Sequence, residues 1–225
     1  MLPLRDTEAN EKFPIATLTI ILLNIMVFIK QATLPYDETM EMIYKYAFIP
    51  SRFTNGITNI ESYIPLFTSM FMHGDLLHIV SNMWSLWLFG DNVEDKMGAF
   101  RFVIFYILTG LIAGFAHFIS NPMSNIPTVG ASGAIAGVMG AYFLMFPYSR
   151  IVTLVPFIIF YRTIRIPAPF FLFIWFISQL RSGIMHGIAG TVGGVAWWAH
   201  IFGFLAGMIL YKKFLKKNKN TRSWY

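Results

Sequence analysis

The stretch GASGAIAGVMG, residues 130–140, decides the fold. Ser132 is its one hydroxyl, and glycine and alanine recur around it every four residues. Small residues at this spacing let two membrane helices bring their backbones close together. A second face of small residues occurs much later in the chain, and it consists of Ala196, Ala199, Gly203 and Gly207, with His200 among them. We therefore predict that the two helices pack against each other and place Ser132 beside His200.

The composition is typical of a membrane protein rather than of a soluble one. Of the 225 residues, 56% are hydrophobic and only 12% are charged, whereas globular proteins carry roughly a quarter charged residues. The chain has no cysteine, which excludes disulfides, a thiolate nucleophile and cysteine-bound metal. No HExxH motif or carboxylate partner accompanies the histidines, so we expect neither a metal nor a cofactor.

Six apolar stretches divide the chain and predict six membrane-spanning helices, which makes the fold class an all-α membrane protein. The stretches are residues 14–29, 76–89, 100–119, 132–146, 169–180 and 195–211. We expect residues 1–13 to form a short cytoplasmic N-terminal segment, 14–211 the six-helix membrane domain and 212–225 a basic cytoplasmic tail.

Three connecting segments are expected to lie outside the membrane-spanning helices. Residues 91–96 carry four charges and predict a tight loop, and the glycine-rich residues 181–194 predict another. The segment 150–168 contains an apolar run of 11 residues, which is too short for the roughly 20 residues that a crossing needs. We expect this segment to lie against the membrane surface.

Lysine and arginine are distributed unequally between the two sides of this six-helix topology. The side that holds both termini and the loops after the second and fourth spans carries 13 of the 17 basic residues. The positive-inside rule then predicts that both termini are cytoplasmic. This distribution explains the net charge of +6 without a nucleic-acid partner. The expected partner is the lipid bilayer, whose anionic lipids the basic tail can contact.

The topology places the polar residues of three helices at a similar depth. Ser132 lies at the outer end of the fourth span, and His200 lies about five residues into the sixth, roughly 8 Å deep. His78 and Asn82 occupy the first two turns of the second span and share one helix face because they are four residues apart. All of these side chains are therefore expected in the outer half of the membrane.

These residue types suit nucleophilic catalysis. A serine hydroxyl needs a base to remove its proton, and His200 is the candidate general base. Ser132 also lies near a helix amino terminus, where unpaired backbone N–H groups and the helix dipole favour an oxyanion. The Asn82 amide and the His78 ring could donate hydrogen bonds to the same oxyanion.

The sequence predicts no carboxylate beside His200. Asp95 is the last acidic residue of the chain, and it lies on the opposite side of the membrane from His200. We therefore predict a Ser–His dyad. The imidazole must then be oriented by packing and by a backbone or hydroxyl partner.

Structural roles explain several of the same residues. A lone membrane serine usually packs or bonds its own backbone, a lone histidine can link helices, and the His78–Asn82 pair can be a structural hydrogen bond. Four such features at one depth favour the catalytic interpretation. The remaining histidines are expected at loop edges or on helix surfaces, and they are His73, His117 and His186.

Three motifs identify the family that the chain resembles. They are HIVSN at 78–82, GASG at 130–133, and AHIFG at 199–203 followed by Gly207. Together, and in this order, they resemble the HxxxN, GxSG and AHxxGxxxG motifs of the rhomboid intramembrane serine proteases. The likeness covers about residues 14–211. One departure is Ala136, where some members have a tyrosine that packs on the histidine, so another ring must hold His200 here.

The resemblance implies roles that agree with those drawn from the residues. Ser132 would be the nucleophile and His200 the general base, while His78, Asn82 and the backbone N–H of Ser132 would form the oxyanion hole. The fifth span and its following loop would act as a lateral gate and a cap.

The function that this implies is hydrolysis of transmembrane protein substrates in or near their membrane segments on the outer side. The alternative is a non-catalytic relative that binds transmembrane helices, and a small transporter is disfavoured by the absence of charged pairs and inverted repeats. We expect a multi-pass protein of the cell membrane.

Overall fold

The structure is a computed structural model that describes residues 2–157, 160–189 and 194–216. The helices in these ranges are α1 (Ile15–Thr33), α2 (Tyr36–Tyr46), α3 (Pro50–Asn55), α4 (Ile64–Thr68), α5 (Leu76–Met97), α6 (Ala99–Ser120), α7 (Ser132–Met145), α8 (Ala168–Ala189) and α9 (Trp197–Phe214). The strands are β1 (Leu2–Asp6), β2 (Arg150–Phe157) and β3 (Phe160–Pro167).

Helix α7 forms the centre of the bundle, and residues 133–142 within it are all buried. Helix α9 packs directly against it, because a Cβ at Gly203 would overlap the carbonyl of Gly133, and a Cβ at Gly207 would overlap the carbonyl of Gly137. Only glycine permits this backbone contact between membrane helices. The predicted packing of the two small-residue faces is therefore confirmed.

Replacing Gly207 with alanine should lower the free energy of unfolding by about 2–3 kcal/mol, since the added methyl group meets rigid backbone rather than a movable side chain. Gly187→Ala is the matched control, because a Cβ there meets nothing within 4 Å and alanine favours helix by up to about 1 kcal/mol. Denaturant unfolding of both variants in detergent measures the difference. Equal stabilities would contradict the close contact of α7 and α9.

The long apolar helices of the described ranges agree with a membrane protein. By length and composition, α1, α6 and α8 are each able to cross a bilayer, and α7 is a shorter apolar helix. Helix α8 extends through most of the segment 181–194, for which the sequence predicts a loop. The helix can continue through this segment because the segment is largely apolar, and Arg181 is the one fully charged residue of α8.

The described residues are mostly helical, as predicted, but they also contain an antiparallel sheet in the order β1-β2-β3, which the prediction of an all-α fold missed. Segment 150–168, predicted to lie on the membrane surface, contains the β2–β3 hairpin. The two strands are rich in β-branched and aromatic residues, which favour strands, and their sequences are RIVTLVPF and FYRTIRIP. Pro156 and Pro167 also disfavour a continuous helix. The N-terminal segment 1–13 supplies the third strand.

The predicted charged loop at 91–96 is also wrong, because these residues form the last turns of α5. The carboxylate of Glu94 accepts hydrogen bonds from the backbone N–H groups of Ala16 and Thr17, at 2.9 and 2.7 Å. It thereby satisfies donors at the amino terminus of α1, where a negative charge is favourable. The charge of Glu94 therefore stabilises the contact between α5 and α1 and does not mark a turn.

Asp6 joins the sheet to the helix bundle. Its carboxylate accepts hydrogen bonds from the Tyr142 hydroxyl, at 2.5 Å, and from the Asn92 amide, at 2.8 Å. Burial raises the pKa of the Asp6 carboxyl to about 6, although both hydrogen bonds favour the charged form. The folded protein therefore binds this proton more tightly than the unfolded chain does.

This pKa predicts that the protein loses stability as the pH rises from about 4, near the unfolded-state value, to about 6. Asp6→Asn removes the titrating group while keeping a hydrogen-bond acceptor, so this part of the pH dependence should vanish. Thermal unfolding of both proteins between these pH values measures the effect. If the two profiles run parallel, Asp6 does not titrate as described.

Candidate active site

Ser132 is held at the start of α7 by a turn that requires glycine. Gly130 has a φ of +127°, a conformation that side chains disfavour. A Cβ at Gly130 would also lie 2.8 Å from His78 Nε2 and 3.7 Å from Asn82 Nδ2. The glycine thus permits the turn and brings the loop before Ser132 against α5.

Ser132 and His200 form a hydrogen bond, as the sequence predicts. Ser132 Oγ lies 2.7 Å from His200 Nε2, and the two side chains come from α7 and α9. His200 is buried, with 9% of the residue's surface exposed. The contact follows from the glycine-mediated packing of these helices, because side chains on closely spaced backbones must meet.

The second ring nitrogen of His200 is held by an amide, which the sequence reasoning missed. His200 Nδ1 lies 2.8 Å from Oε1 of Gln179 on α8, so the expected backbone or hydroxyl partner is wrong. The Gln179 amide nitrogen donates to Ser178 Oγ at 2.9 Å and to the Trp175 carbonyl at 3.4 Å. With its nitrogen engaged there, the amide presents its oxygen to the imidazole.

This network assigns the tautomer of His200. A carbonyl oxygen can only accept a hydrogen bond, so Nδ1 of His200 must carry the proton. Nε2 then has a free lone pair and accepts the hydrogen bond from the Ser132 hydroxyl. A neutral imidazole oriented in this way is the arrangement that a general base needs.

Two tryptophan rings confine the His200 imidazole. The Trp175 ring lies 6.1 Å away and is tilted by 31°, and the Trp197 ring lies 6.1 Å away at 86°. They supply the aromatic packing that Ala136 on α7 does not. Gln179 and Trp175 lie on one face of α8, four residues apart, so this helix supplies both an acceptor and a ring for His200.

His78 and Asn82 line the same cavity as Ser132 and His200. Asn82 is buried, and its Nδ2 donor has no hydrogen-bond partner among the described residues. An unpaired buried donor is costly, and a bound acceptor would satisfy it. The structure therefore brings all four predicted site residues to one place.

The cavity has a volume of about 970 Å³. The loop at 121–129 and the end of α8 contribute further walls. Such a volume accommodates a short stretch of extended peptide beside Ser132, since ligand pockets typically measure about 300–1,000 Å³.

The other three histidines lie around the site but outside the pair formed by Ser132 and His200. His73 is buried with its ring edge-on to His78 at 5.0 Å, and His117 Nε2 hydrogen-bonds the Thr128 hydroxyl at 3.1 Å. His186 lines the cavity. In the part of the chain that the structure describes, no group of three or more His, Cys, Asp or Glu residues could hold a metal ion.

The fold and the site together define a multi-helix membrane protein with a serine–histidine pair in a cavity between helices. Residues 61–217 match the Rhomboid domain, which is more than half of the chain, and the chain therefore belongs to the rhomboid family. Members of this family are typically intramembrane proteases, although some are inactive.

Several characterised or named proteins are similar to this chain. Rhomboid protein 1, mitochondrial, of Saccharomyces cerevisiae is 28% identical over 163 residues, which cover 70% of this chain and 43% of the yeast protein. Presenilin-associated rhomboid-like protein A, mitochondrial, of Danio rerio is 28% identical over 167 residues, covering 72% and 40%. YdcA of Bacillus subtilis, named as a candidate rhomboid protease, is 33% identical over 90 residues, covering 40% and 44%. The chain spans less than half the length of these relatives.

These names correct the expected location. The yeast and zebrafish relatives are both named as mitochondrial proteins, as is a Mus musculus relative that is 33% identical over 39% of this chain and 24% of its own length. The names of these relatives contradict the predicted cell-membrane location, which is wrong on this comparison. The apolar spans could not have revealed this, because they report a bilayer and not which compartment it encloses.

Proposed function

We propose that this chain is an intramembrane serine endopeptidase that uses Ser132 as the nucleophile and His200 as the general base. The observation that carries the proposal is the 2.7 Å hydrogen bond from Ser132 to His200 Nε2. A half-buried serine whose hydroxyl donates to a correctly oriented neutral imidazole is prepared to lose its proton. Membership of the rhomboid family agrees with this activity.

The proposed topology has α1, α5, α6, α7, α8 and α9 crossing the bilayer. Both termini then lie on the side that carries most of the lysine and arginine residues. Ser132 begins α7 and His200 lies in the first turns of α9, so the cavity opens toward the opposite side. Substrates would be cut near the end of their membrane segment on that side.

In the proposed reaction, Ser132 Oγ attacks the carbonyl carbon of the scissile peptide bond while its proton passes to His200 Nε2. The carbonyl oxygen takes the negative charge and accepts hydrogen bonds from the Asn82 amide, the His78 ring and the Ser132 backbone N–H. His200 then returns the proton to the departing nitrogen, leaving an ester on Ser132. Water repeats the sequence, regenerating the hydroxyl and releasing the acid.

Gln179 acts as a positioning residue in this mechanism. Its oxygen holds Nδ1–H of His200 and so keeps the lone pair on Nε2 directed at Ser132. A neutral amide stabilises the transient imidazolium less than a carboxylate would. Because Gln179 lies on α8, displacement of this helix would also remove the acceptor from His200.

Gln179→Leu should therefore lower kcat by about 10–100-fold with little change in KM, because the imidazole is freed to rotate or to change tautomer. Gln179→Glu keeps an oxygen acceptor at the same distance and should recover at least tenfold of the loss. Initial rates over a range of substrate-to-lipid ratios separate kcat from KM. A loss confined to KM, or no recovery with glutamate, would assign Gln179 a packing role instead.

The substrates we propose are transmembrane segments that unwind readily near one end. A helix in lipid has every backbone group paired, so its peptide bonds are not accessible to Ser132. Glycine or proline near the cut site lowers the cost of unwinding. Transmembrane segments with glycine or proline near the cut site should therefore be cleaved faster than a poly-leucine segment of the same length.

The test uses the pure chain in liposomes with both segments as substrates. Cleavage of the glycine- or proline-containing segment, with much slower cleavage of poly-leucine, is the expected result. Binding of both segments with cleavage of neither would support a non-catalytic protein that grips transmembrane helices. Equal cleavage of both would overturn the unwinding requirement while leaving the protease activity in place.

A further inference from the structure

Three arginines lie on one face of the β-sheet. The strand register pairs Arg5 of β1 with Val152 of β2, and Val152 with Arg165 of β3. These three residues form a row across the sheet, and directly paired residues lie on the same face. Arg150 is two residues before Val152 on β2, so it also lies on that face because side chains alternate along a strand.

This face points away from the helix bundle. The opposite face carries Ile151 and Thr153, which are both fully buried, and Asp6, which contacts Tyr142 of α7. By contrast, Arg5, Arg150 and Arg165 are all exposed. We refer to the surface formed by these three residues as the arginine face.

The arginine face has no anionic partner within the described residues. Across residues 2–157, 160–189 and 194–216, neither an ion pair nor a side-chain hydrogen bond engages the guanidinium group of Arg5, Arg150 or Arg165. Arg5 and Arg165 are two strand spacings apart, which is about 10 Å. Like charges at this range repel one another across a sheet, and an anion bound between them would remove the repulsion.

Apolar side chains share the face with the arginines. Leu2 is half exposed, and Leu154, its partner on β2, is partly exposed on the same face as Val152. Strand β1 also lies beside a membrane helix, because the Trp84 indole of α5 donates to the Pro3 carbonyl at 2.7 Å. Cationic and apolar groups beside a membrane helix match the two parts of a phospholipid.

We propose that the arginine face binds the phosphodiester headgroup of an anionic phospholipid, with an acyl chain against Leu2 and Leu154. Arginine suits this ligand because its planar guanidinium contacts two phosphate oxygens at once. The site is separate from the cavity at Ser132, and it lies on the basic side of the proposed topology. Its test needs no proteolytic activity.

Arg162 provides a matched control for the experiment. It lies on β3 and is exposed like Arg165, but it pairs with Val155 and so belongs to the opposite face. The experiment compares the full-length wild type, Arg165→Gln and Arg162→Gln in vesicles that contain phosphatidylglycerol and phosphatidylcholine. Native mass spectrometry after gentle extraction counts the lipids of each class that remain bound.

The wild type should retain phosphatidylglycerol in preference to phosphatidylcholine. Arg165→Gln should lower phosphatidylglycerol retention by at least about fivefold, as expected for loss of a charge-assisted contact, while Arg162→Gln should change it by less than about twofold. Equal losses in the two variants would show general charge attraction and overturn the proposal. So would unchanged retention in the triple variant Arg5→Gln, Arg150→Gln, Arg165→Gln.

Excess inorganic phosphate separates the lipid from a free anion. Phosphatidylglycerol should stay bound, because its acyl chain contacts Leu2 and Leu154 and inorganic phosphate has no such chain. Full displacement by phosphate would show a site for a soluble anion and contradict the proposal. Far-ultraviolet circular dichroism of each variant verifies that the fold is retained.

Discussion

Replacing His200 with alanine should lower the rate of substrate cleavage by at least about 10⁴-fold, the loss expected when a serine nucleophile is deprived of its base. The reason lies in the geometry. Nε2 is the acceptor of the Ser132 hydroxyl at 2.7 Å, and no second base touches this hydroxyl among the described residues. Without His200, Ser132 has no acceptor for its proton at the moment of attack.

The double variant of Ser132 and His200 provides a stringent form of this prediction. Ser132→Ala should cause a loss of the same size, and the double variant should be no slower than either single variant, because the two residues act as one unit. Ser85→Ala is the control, since within the described part of the chain the Ser85 hydroxyl bonds only the Ser81 carbonyl of α5. Losses that add in the double variant would mean that Ser132 and His200 act independently.

Replacing Asn82 with alanine should lower kcat by about 10²–10³-fold, the usual cost of removing one oxyanion donor. Asn82 Nδ2 is buried and has no partner among the described residues, so it is free to bind an oxygen that becomes negative during the reaction. The loss should fall on kcat, because the oxyanion exists only in the transition state and the intermediate.

Kinetics in liposomes distinguish this role from a structural one. A structural role for Asn82 predicts lower thermal stability and a smaller fraction of active protein, with normal turnover in what remains. Active-site titration with a fluorophosphonate measures that fraction. Unchanged kcat per titrated site would exclude Asn82 from the oxyanion hole.

The contact between Ser132 and His200 could be predicted from sequence because its cause is local and periodic. Glycine and alanine at four-residue spacing mark helix faces that approach closely, and the two polar residues lie on those faces. The pair His78 and Asn82 is likewise defined by helical spacing. Such features depend on one helix face at a time, which a sequence displays directly.

Gln179 was harder to find because its role depends on a tertiary contact. It is a neutral residue near the end of an apolar run, and no spacing relates it to His200 on a different helix. A polar residue within a membrane helix is nevertheless a signal, since such residues tend to be functional or paired. The Nδ1–H group of His200 needs an acceptor, and a polar side chain on a neighbouring membrane helix can supply one.

The sheet could not be predicted for a different reason. A short apolar run is ambiguous between helix and strand, and the length that a membrane crossing requires excludes a spanning helix without indicating a hairpin. Strand β1 pairs with β2 across more than 140 positions of sequence, a contact that no local pattern reveals. The charges of residues 91–96 led to the wrong prediction of a loop, because the Glu94 carboxylate accepts hydrogen bonds from the amino terminus of α1.

The most direct test of the central claim is to locate the adduct that a fluorophosphonate probe forms with the pure protein. Such probes react with a serine only when its hydroxyl is activated. Peptide mass spectrometry should find the probe on Ser132 in the wild type, and it should find none on Ser132 in His200→Ala. Labelling of another serine, or equal labelling of Ser132 in both proteins, would contradict activation of Ser132 by His200.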